Sequence, residues 1–437
     1  MTSKADATQA YVWIWLPGET EPVVAGKLTQ DADRFHFTYG ASYRDRKKAI
    51  SIYEPELPLR RGTIAPKPGL SMPSCIRDGS PDAWGRRVII NRLTGAKSNA
   101  VGVSDINELT YLLYSGSDRI GALDFQTSST DYEPRLAAEA SFEELLAAAE
   151  RIEKGLPLPP ALDRALNHGT SIGGARPKAL IDGDDHKFIA KFSSSTDAHS
   201  VVKAEFIAMK LAAACGLNTA LVSLTHAAGK DVLMIKRFDR KKIATGWTRH
   251  AIVSALTMLG LDEMMARYAS YEDIAELIRH RFTDPKGTLK ELYGRICFNI
   301  LCGNTDDHAR NHAAFWDGKA LTLTPAYDIC PQGRVGGEAS QAMLIKGQAR
   351  ASTIAMCLAA AGDYHLTQED AGSLIETQIT TIAESWQAVC KEASLTAIDQ
   401  KLFAGRQFLN PYCIEGLGEE HATLAARFQD ARAQIVN

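Results

Sequence analysis

The stretch GNTDDHARNHAAFW (303–316) puts two adjacent aspartates, two histidines and an asparagine directly behind an apolar run, YGRICFNILC (293–302). Asp306 and Asn311 stand five positions apart, and Asp328 follows in LTPAYDI (323–329), where LTLTP reads as a short strand ending at a proline. Phosphoryl transfer needs this set of groups. One carboxylate orients the acceptor hydroxyl and takes its proton, while an amide oxygen and a second carboxylate hold Mg²⁺ against the phosphates. The D-x-x-x-x-N spacing equals that of a protein-kinase catalytic loop. Two other readings stand beside it. Asp306 and Asp307 could be loop carboxylates that cap a helix. Alternatively, His308 and His312, four apart and so on one face of a helix, could join Asp306 or Asp307 as the divalent-metal site of a metal-dependent phosphohydrolase.

A second group of residues lies upstream. HGTSIGGARPKAL (168–180) is rich in small residues, and Gly173 and Gly174 let backbone N–H groups turn toward an anion. It has neither the Walker A pattern nor G-x-G-x-x-G, and a plain turn is its bland reading. Lys191 follows in the strand-like HKFIAKF (186–192), where alternation would equally let it face solvent. In a phosphotransferase it reaches the phosphates, and Glu205 on the next helix is the candidate to pair with it. LMIKRF (233–238) is extended and apolar enough to line an adenine, as any buried strand would be.

Those residues need elements to place them. Residues 10–128 read as short strands and proline-rich loops: YVWIWLPG, VVAGKL and RFHFTYG at hairpin spacing, then an odd cluster, PDAWGRRVI (81–89), opening a helix. Ser141 and Glu144 form a capping-box pattern ahead of LLAAAERIEKG, read as a connecting helix. KAEFIAMKLAAACGLN (203–218) reads as an amphipathic helix with Gly216 near its end. From about 250 onward, starting at AIVSALTMLG, the text reads as helical. The expected class is α+β: a two-lobed protein-kinase-like fold with a small β-rich N-terminal subdomain (1–128), an N-lobe with phosphate-binding loop and hinge (129–245) and a mostly helical C-lobe with the catalytic loop (246–437).

Composition narrows the function classes. The 437 residues are 45 % hydrophobic and 23 % charged with a formal net charge of −3, so the molecule as a whole is no polycation built for nucleic acid. Local basic runs, YRDRKK (43–48), PLRRG (58–62) and KRFDRKK (236–242), read as solvated surface. Eight cysteines without a C-x-x-C pair read as reduced thiols. MTSKADATQA lacks the apolar core of a signal peptide, and no apolar run reaches the roughly 18 residues of a membrane span. A cytoplasmic protein without a membrane partner is expected.

The stretches PDAWGRR, TSIGGARPKAL, FIAKF, VKAEFIAMKLAAACGLN, KRFDR, GNTDDHARNHAAF and LTPAYDI occur in an order and company that resemble the HipA family, the serine/threonine-kinase toxins of toxin–antitoxin systems. The resemblance spans most of the chain. It implies ATP and Mg²⁺ as cofactors, Asp306 as catalytic base, and Asn311 and Asp328 as Mg²⁺ ligands. It assigns nucleotide contact to Thr170, Ser171, Ile172, Gly173, Gly174, Ala175 and Arg176, to Lys191, to the hinge residues Met234, Lys236 and Phe238, and to His308 and Arg310, with His308 also suited to orienting the catalytic loop. Ser171 matches the serine that such kinases autophosphorylate, a dianion that would repel ATP from the loop. The implied partners are a small helix-turn-helix antitoxin of HipB type, operator DNA through that antitoxin, and a protein substrate such as an aminoacyl-tRNA synthetase. Two features depart from the pattern. Asp307 stands where some relatives have glycine, and RHAIVSALTML (249–259) replaces the Gln-Glu-Asp stretch common after the hinge. A non-catalytic protein that keeps the fold and binds a partner is the third reading.

Overall fold

The computed structural model describes residues 7–95, 102–136, 140–159, 162, 174–194, 197, 199–333 and 337–436. The chain forms two compact units. The first comprises 1–196, 225–253 and 315–319; the second comprises 197–224, 254–314 and 320–437. The class is α+β, with strands concentrated in the N-terminal part and helices in the C-terminal part.

The first unit begins with an antiparallel sheet. Strands β1 (Gln9–Ile14), β2 (Val23–Asp31), β3 (Arg34–Tyr39), β4 (Thr63–Ile64) and β5 (Leu123–Gln126) lie in the order β4-β3-β2-β1-β5. The alternation in RFHFTY is the cause: Phe35, Phe37 and Tyr39 face inward and their neighbours are half-exposed. A second sheet contains β6 (Lys178–Asp182), β7 (Lys187–Phe192), β8 (Val222–Ala227) and β9 (Lys230–Lys236) in the order β6-β7-β9-β8. The helices Ala83–Thr94 and Phe142–Glu153 pack on it through Trp84, Val88, Leu145 and Ile152, against Phe192 and Val232. The helix 142–153 is therefore part of the core and not a bare connector. Its capping box forms as read: Glu144 N–H donates to Ser141 Oγ at 3.2 Å, and Ser141 N–H to Glu144 Oε2 at 2.9 Å.

The text from 250 does not start helical. Ala251–Ser254 is a strand, and the helix that follows covers only Ala255–Met258, opened by Ser254 Oγ accepting from Thr257 N–H. Ile252 and Val253 are β-branched and fit a pleat better than a helical turn.

The second unit is built around the helix Pro285–Cys302. Asp284 caps it, proline occupies its first turn, and residues 292–302 are buried without interruption. A helix buried on every side belongs in a core, and its two polar residues there, Arg295 and Asn299, are buried with hydrogen-bond partners. The helices Tyr271–Arg281, Ile354–Ala360 and Gln368–Glu392 surround it. It ends at Gly303, whose φ of +74° only glycine takes freely, and where a Cβ would lie 2.7 Å from the Gln407 carbonyl oxygen. That stop delivers the chain into the polar stretch 304–312. Among the described residues no helix is long and apolar enough to cross a membrane.

Candidate active site

Residues 304–312 form a loop, so the shared helical face expected for His308 and His312 does not exist. The loop is organised by Asp307, which is buried. Its Oδ2 accepts from Tyr271 Oη, from Asn299 Nδ2 at 2.7 Å and from His312 Nε2 at 2.9 Å. Burial alone would raise its pKa. His312 and the Tyr271 hydroxyl outweigh that and hold the carboxyl below its ordinary value. Asn304 Nδ2 donates to Asn299 Oδ1 at 2.9 Å, which ties the loop to the last turn of the helix 285–302.

Asp306, next in the chain, points the other way and is exposed. Partial desolvation by the surrounding protein raises its pKa. His308 opposes the rise, and the carboxylates of Asp328 and Asp307 add to it. A solvent-reachable carboxylate held less acidic than usual suits a base that must accept a proton. Asn311 is buried, and its Nδ2 donates to the Asp306 carbonyl at 3.3 Å. With the NH₂ so engaged, the amide oxygen is the end left for a cation.

Asp328 stands at φ +60°, the left-handed region, which is uncommon for a side-chain-bearing residue and turns the chain sharply at that point. Three contacts fix the segment before it. Arg295 donates to the Thr324 carbonyl at 2.9 Å, Ala326 N–H donates to Asn218 O at 2.7 Å, and Tyr327 Oη donates to the Arg310 carbonyl at 2.7 Å. Asp306, Asn311 and Asp328 are thus held by one bonded cluster within the second unit. Among the described residues no group of three or more His, Cys, Asp or Glu side chains could hold a metal by itself. An amide and one carboxylate fit a Mg²⁺ that takes its remaining ligands from phosphates and water. They do not fit a self-contained metallohydrolase centre, and His312 is already bound to Asp307.

His308 Nδ1 is enclosed without a hydrogen-bond partner. Arg310 makes an ion pair with Glu263.

The first unit holds the remaining sequence candidates that the structure describes. Thr170, Ser171, Ile172 and Gly173 lie outside the described residues. Gly174 and Ala175 are gripped by the 81–87 cluster. Gly174 N–H donates to Asp82 Oδ2 at 2.7 Å, Trp84 N–H donates to Gly174 O at 3.2 Å, and Arg87 Nη2 donates to Ala175 O at 2.8 Å. Trp84 Nε1 donates to Lys178 O at 3.2 Å. The cluster that looked odd in the text is therefore a clamp on the glycine-rich stretch. Arg176 is half-buried beside it.

Lys191 is buried on β7 and is paired in register with Lys178 on β6, also buried. Register partners share a face, so the two lysines lie side by side on one side of the sheet. Lys178 was missed by the sequence reading; its signal was its place where the glycine-rich stretch turns into a strand. A Cβ on Gly174 would lie 2.3 Å from Lys178 Nζ, so this lysine reaches the loop.

Met234 on β9 pairs with Ala190 and packs against the sheet's core. Lys236 extends to His186 Nε2 at 3.0 Å, and the Phe238 ring meets Phe315 edge-on at 5.9 Å. Glu205 is buried on the helix Val201–Ala214 of the second unit.

Comparison with known proteins finds two family matches along the chain. Residues 14–126 match the HipA N-terminal domain, and residues 170–386 match the HipA-like C-terminal domain. The chain is 30 % identical over 258 residues to the putative kinase Y4mE of Sinorhizobium fredii, covering 53 % of this chain and 59 % of that protein. It is 26 % identical over 183 residues to the serine/threonine-protein kinase toxin HipA of Shewanella oneidensis, covering 36 % of this chain and 42 % of that protein. The matches thus span less than two thirds of these curated relatives. The solved structure of Shewanella oneidensis HipA with HipB and its operator DNA has a similar fold, with a TM-score of 0.65 and 20 % identity over 98 % of this chain and 96 % of that one. With both of its characteristic domains present in order, the chain belongs to the HipA family.

Proposed function

We propose that this protein is an ATP- and Mg²⁺-dependent serine/threonine protein kinase. The observation that supports the reading is the bonded cluster that ties together the stretches carrying Asp306, Asn311 and Asp328, beside a buried Asp307 whose Oδ2 is taken up by three hydrogen bonds. Packing alone gives no reason to hold an exposed carboxylate, an amide with a free oxygen and a left-handed aspartate in one place. Asp306 orients the acceptor hydroxyl and takes its proton. Asn311 and Asp328 hold Mg²⁺, which supplies charge neutralisation on the phosphates when bound. Lys191 and Lys178 attract the phosphates, and the 170–176 stretch cradles them with its amides. Rate comes from positioning and charge neutralisation, not from a covalent intermediate. Ser171 is the proposed autophosphorylation site.

The acceptor is a protein hydroxyl, with an aminoacyl-tRNA synthetase as first candidate. The Shewanella relative is seen with HipB and operator DNA. A small antitoxin of that kind, bringing operator DNA with it, is the partner proposed here, in a cytoplasmic setting.

Lys191→Ala separates this reading from a phosphohydrolase. A kinase should lose phosphoryl transfer by roughly 10²–10³-fold, the usual effect of removing one group that stabilises transition-state charge. Phosphate release unaffected by the substitution would favour hydrolysis by a metal centre and would refute the kinase assignment.

A further inference from the structure

Asp82 opens the helix Ala83–Thr94, but its carboxylate does not do what an aspartate at that position ordinarily does. Such a side chain usually accepts from an N–H in the first turn of its own helix. Here it makes no cap bond. It turns to the glycine-rich stretch instead, where Gly174 N–H donates to Asp82 Oδ2 at 2.7 Å. Gly174 stands at φ +101°, which side-chain-bearing residues rarely adopt. Lys178 reaches the same glycine, since a Cβ there would lie 2.3 Å from its Nζ. A backbone N–H and an ammonium group meeting at one glycine are the donors that a phosphate oxygen binds. The anion that meets this N–H is the protein's own carboxylate. Asp82, Gly174 and Lys178 all belong to the first unit.

The other two bonds of the clamp are of a different kind. Trp84 N–H donates to the Gly174 carbonyl and Arg87 Nη2 donates to the Ala175 carbonyl. Both hold acceptors, for which a phosphate has no use, and both anchor the stretch without Asp82. Asp82 takes a donor.

We propose that Asp82 sets nucleotide affinity: its carboxylate competes with a nucleotide phosphate for the Gly174 N–H. The inference rests on the kinase reading, in which the glycine-rich stretch cradles phosphates with its amides. A phosphate reaches this N–H only by displacing the carboxylate, and until it does so the two anions repel each other. The cost falls on the phosphates and not on the adenosine. An aspartate that merely anchored the stretch would support nucleotide binding, so the two roles differ in sign.

The test uses the full chain and Asp82→Asn, which keeps an oxygen to accept from Gly174 N–H but removes the charge. Affinity for a non-hydrolysable ATP analogue with Mg²⁺, measured calorimetrically at low ionic strength, should tighten about three- to tenfold. The gain should shrink at high salt. Affinity for adenosine, which carries no phosphate, should stay at the wild-type value. If Asp82→Asn does not fold, Asp82→Ser, shorter and uncharged, should show the same split. Analogue affinity that is unchanged or weaker in the folded variant, or a gain shared equally by adenosine, overturns the inference and leaves the kinase reading intact. Wild-type protein that binds no Mg²⁺–nucleotide analogue overturns both.

Discussion

Asp306 and Asp307 are the same residue type in adjacent positions, and their surroundings give them opposite work. Asp307 takes three hydrogen bonds in the interior and is held ionised, whereas Asp306 faces out with a raised pKa. Removing a buried carboxylate that satisfies a tyrosine, an asparagine and a histidine leaves all three without a partner. Asp307→Ala should therefore destabilise the protein by about 3–5 kcal/mol, while Asp306→Asn should stay within about 0.5 kcal/mol of wild type in the same denaturant titration. Equal stability of the two variants would remove the distinction. The text pointed to Asp306 through its spacing to Asn311. It could not show what Asp307 does, because one of its donors, Tyr271, comes from far back in the chain, and Asn299, though near, reaches it only because the helix stops at Gly303. The third, His312, was visible, but the text offered it only the alternative role of a metal ligand on a helical face, and residues 304–312 form a loop.

Elements deliver these residues through their ends. The helix 285–302 was legible as an apolar run stopping at a glycine, and its stop leads the chain directly into the loop 304–312. A side chain at Gly303 meets both a left-handed φ and the Gln407 carbonyl. Gly303→Ala should cost about 1–3 kcal/mol in urea unfolding and slow phosphoryl transfer measured at a temperature where the variant is fully folded. A variant as stable and active as wild type would show that this stop is not what places the loop. Strands 9–14, 34–39 and 187–192 were legible because their alternation is local. AIVS (251–254) was lost inside a longer apolar stretch, where periodicity cannot separate a short strand from a helix. The clamp at 81–87 was visible as unusual composition and as part of the family resemblance, but not as a clamp, because its target is about ninety residues away in sequence.

At the scale of the molecule, KRFDRKK splits in two. Lys241 and Lys242 are exposed, as a basic surface run should be, but Arg237 and Arg240 are buried. They join Asp239, Asp118 and Lys187 in a network inside the first unit. Arg237 Nη2 lies 2.8 Å from Asp239 Oδ2, Arg240 Nη2 lies 2.8 Å from Asp118 Oδ1, and Gly121 N–H donates to Asp239 Oδ2 at 2.8 Å. The network connects the β1–β5 region to the β6–β9 sheet. No count of charges could have revealed it, since burial is a property of the fold. Burial raises the Asp239 carboxyl, but Arg237 and Arg240 outweigh it and bring the pKa to about 2. For Asp118, burial is likewise outweighed by Arg237 and Arg240, and the carboxyl is held well below its ordinary value. A folded pKa below the unfolded one gives stability that is fully present above the unfolded value, about 4, and is lost as pH falls toward the folded value. Thermal unfolding should therefore hold steady from neutral pH to about 5 and fall between about 4 and 2. Asp239→Asn should destabilise the protein by about 3–5 kcal/mol at neutral pH and flatten that acid limb. An acid limb unchanged in the variant would contradict the role given to Asp239.

The central claim is that Asp306, Asn311 and Asp328 act as one phosphoryl-transfer centre on ATP. The most direct measurement is transfer of labelled γ-phosphate to protein hydroxyls, followed in single turnover, by wild-type protein and Asp306→Asn at matched nucleotide occupancy. The account predicts phosphoprotein from wild type, with Ser171 among the modified residues, and none from a variant that folds and binds nucleotide equally well. Undiminished labelling by Asp306→Asn would contradict it.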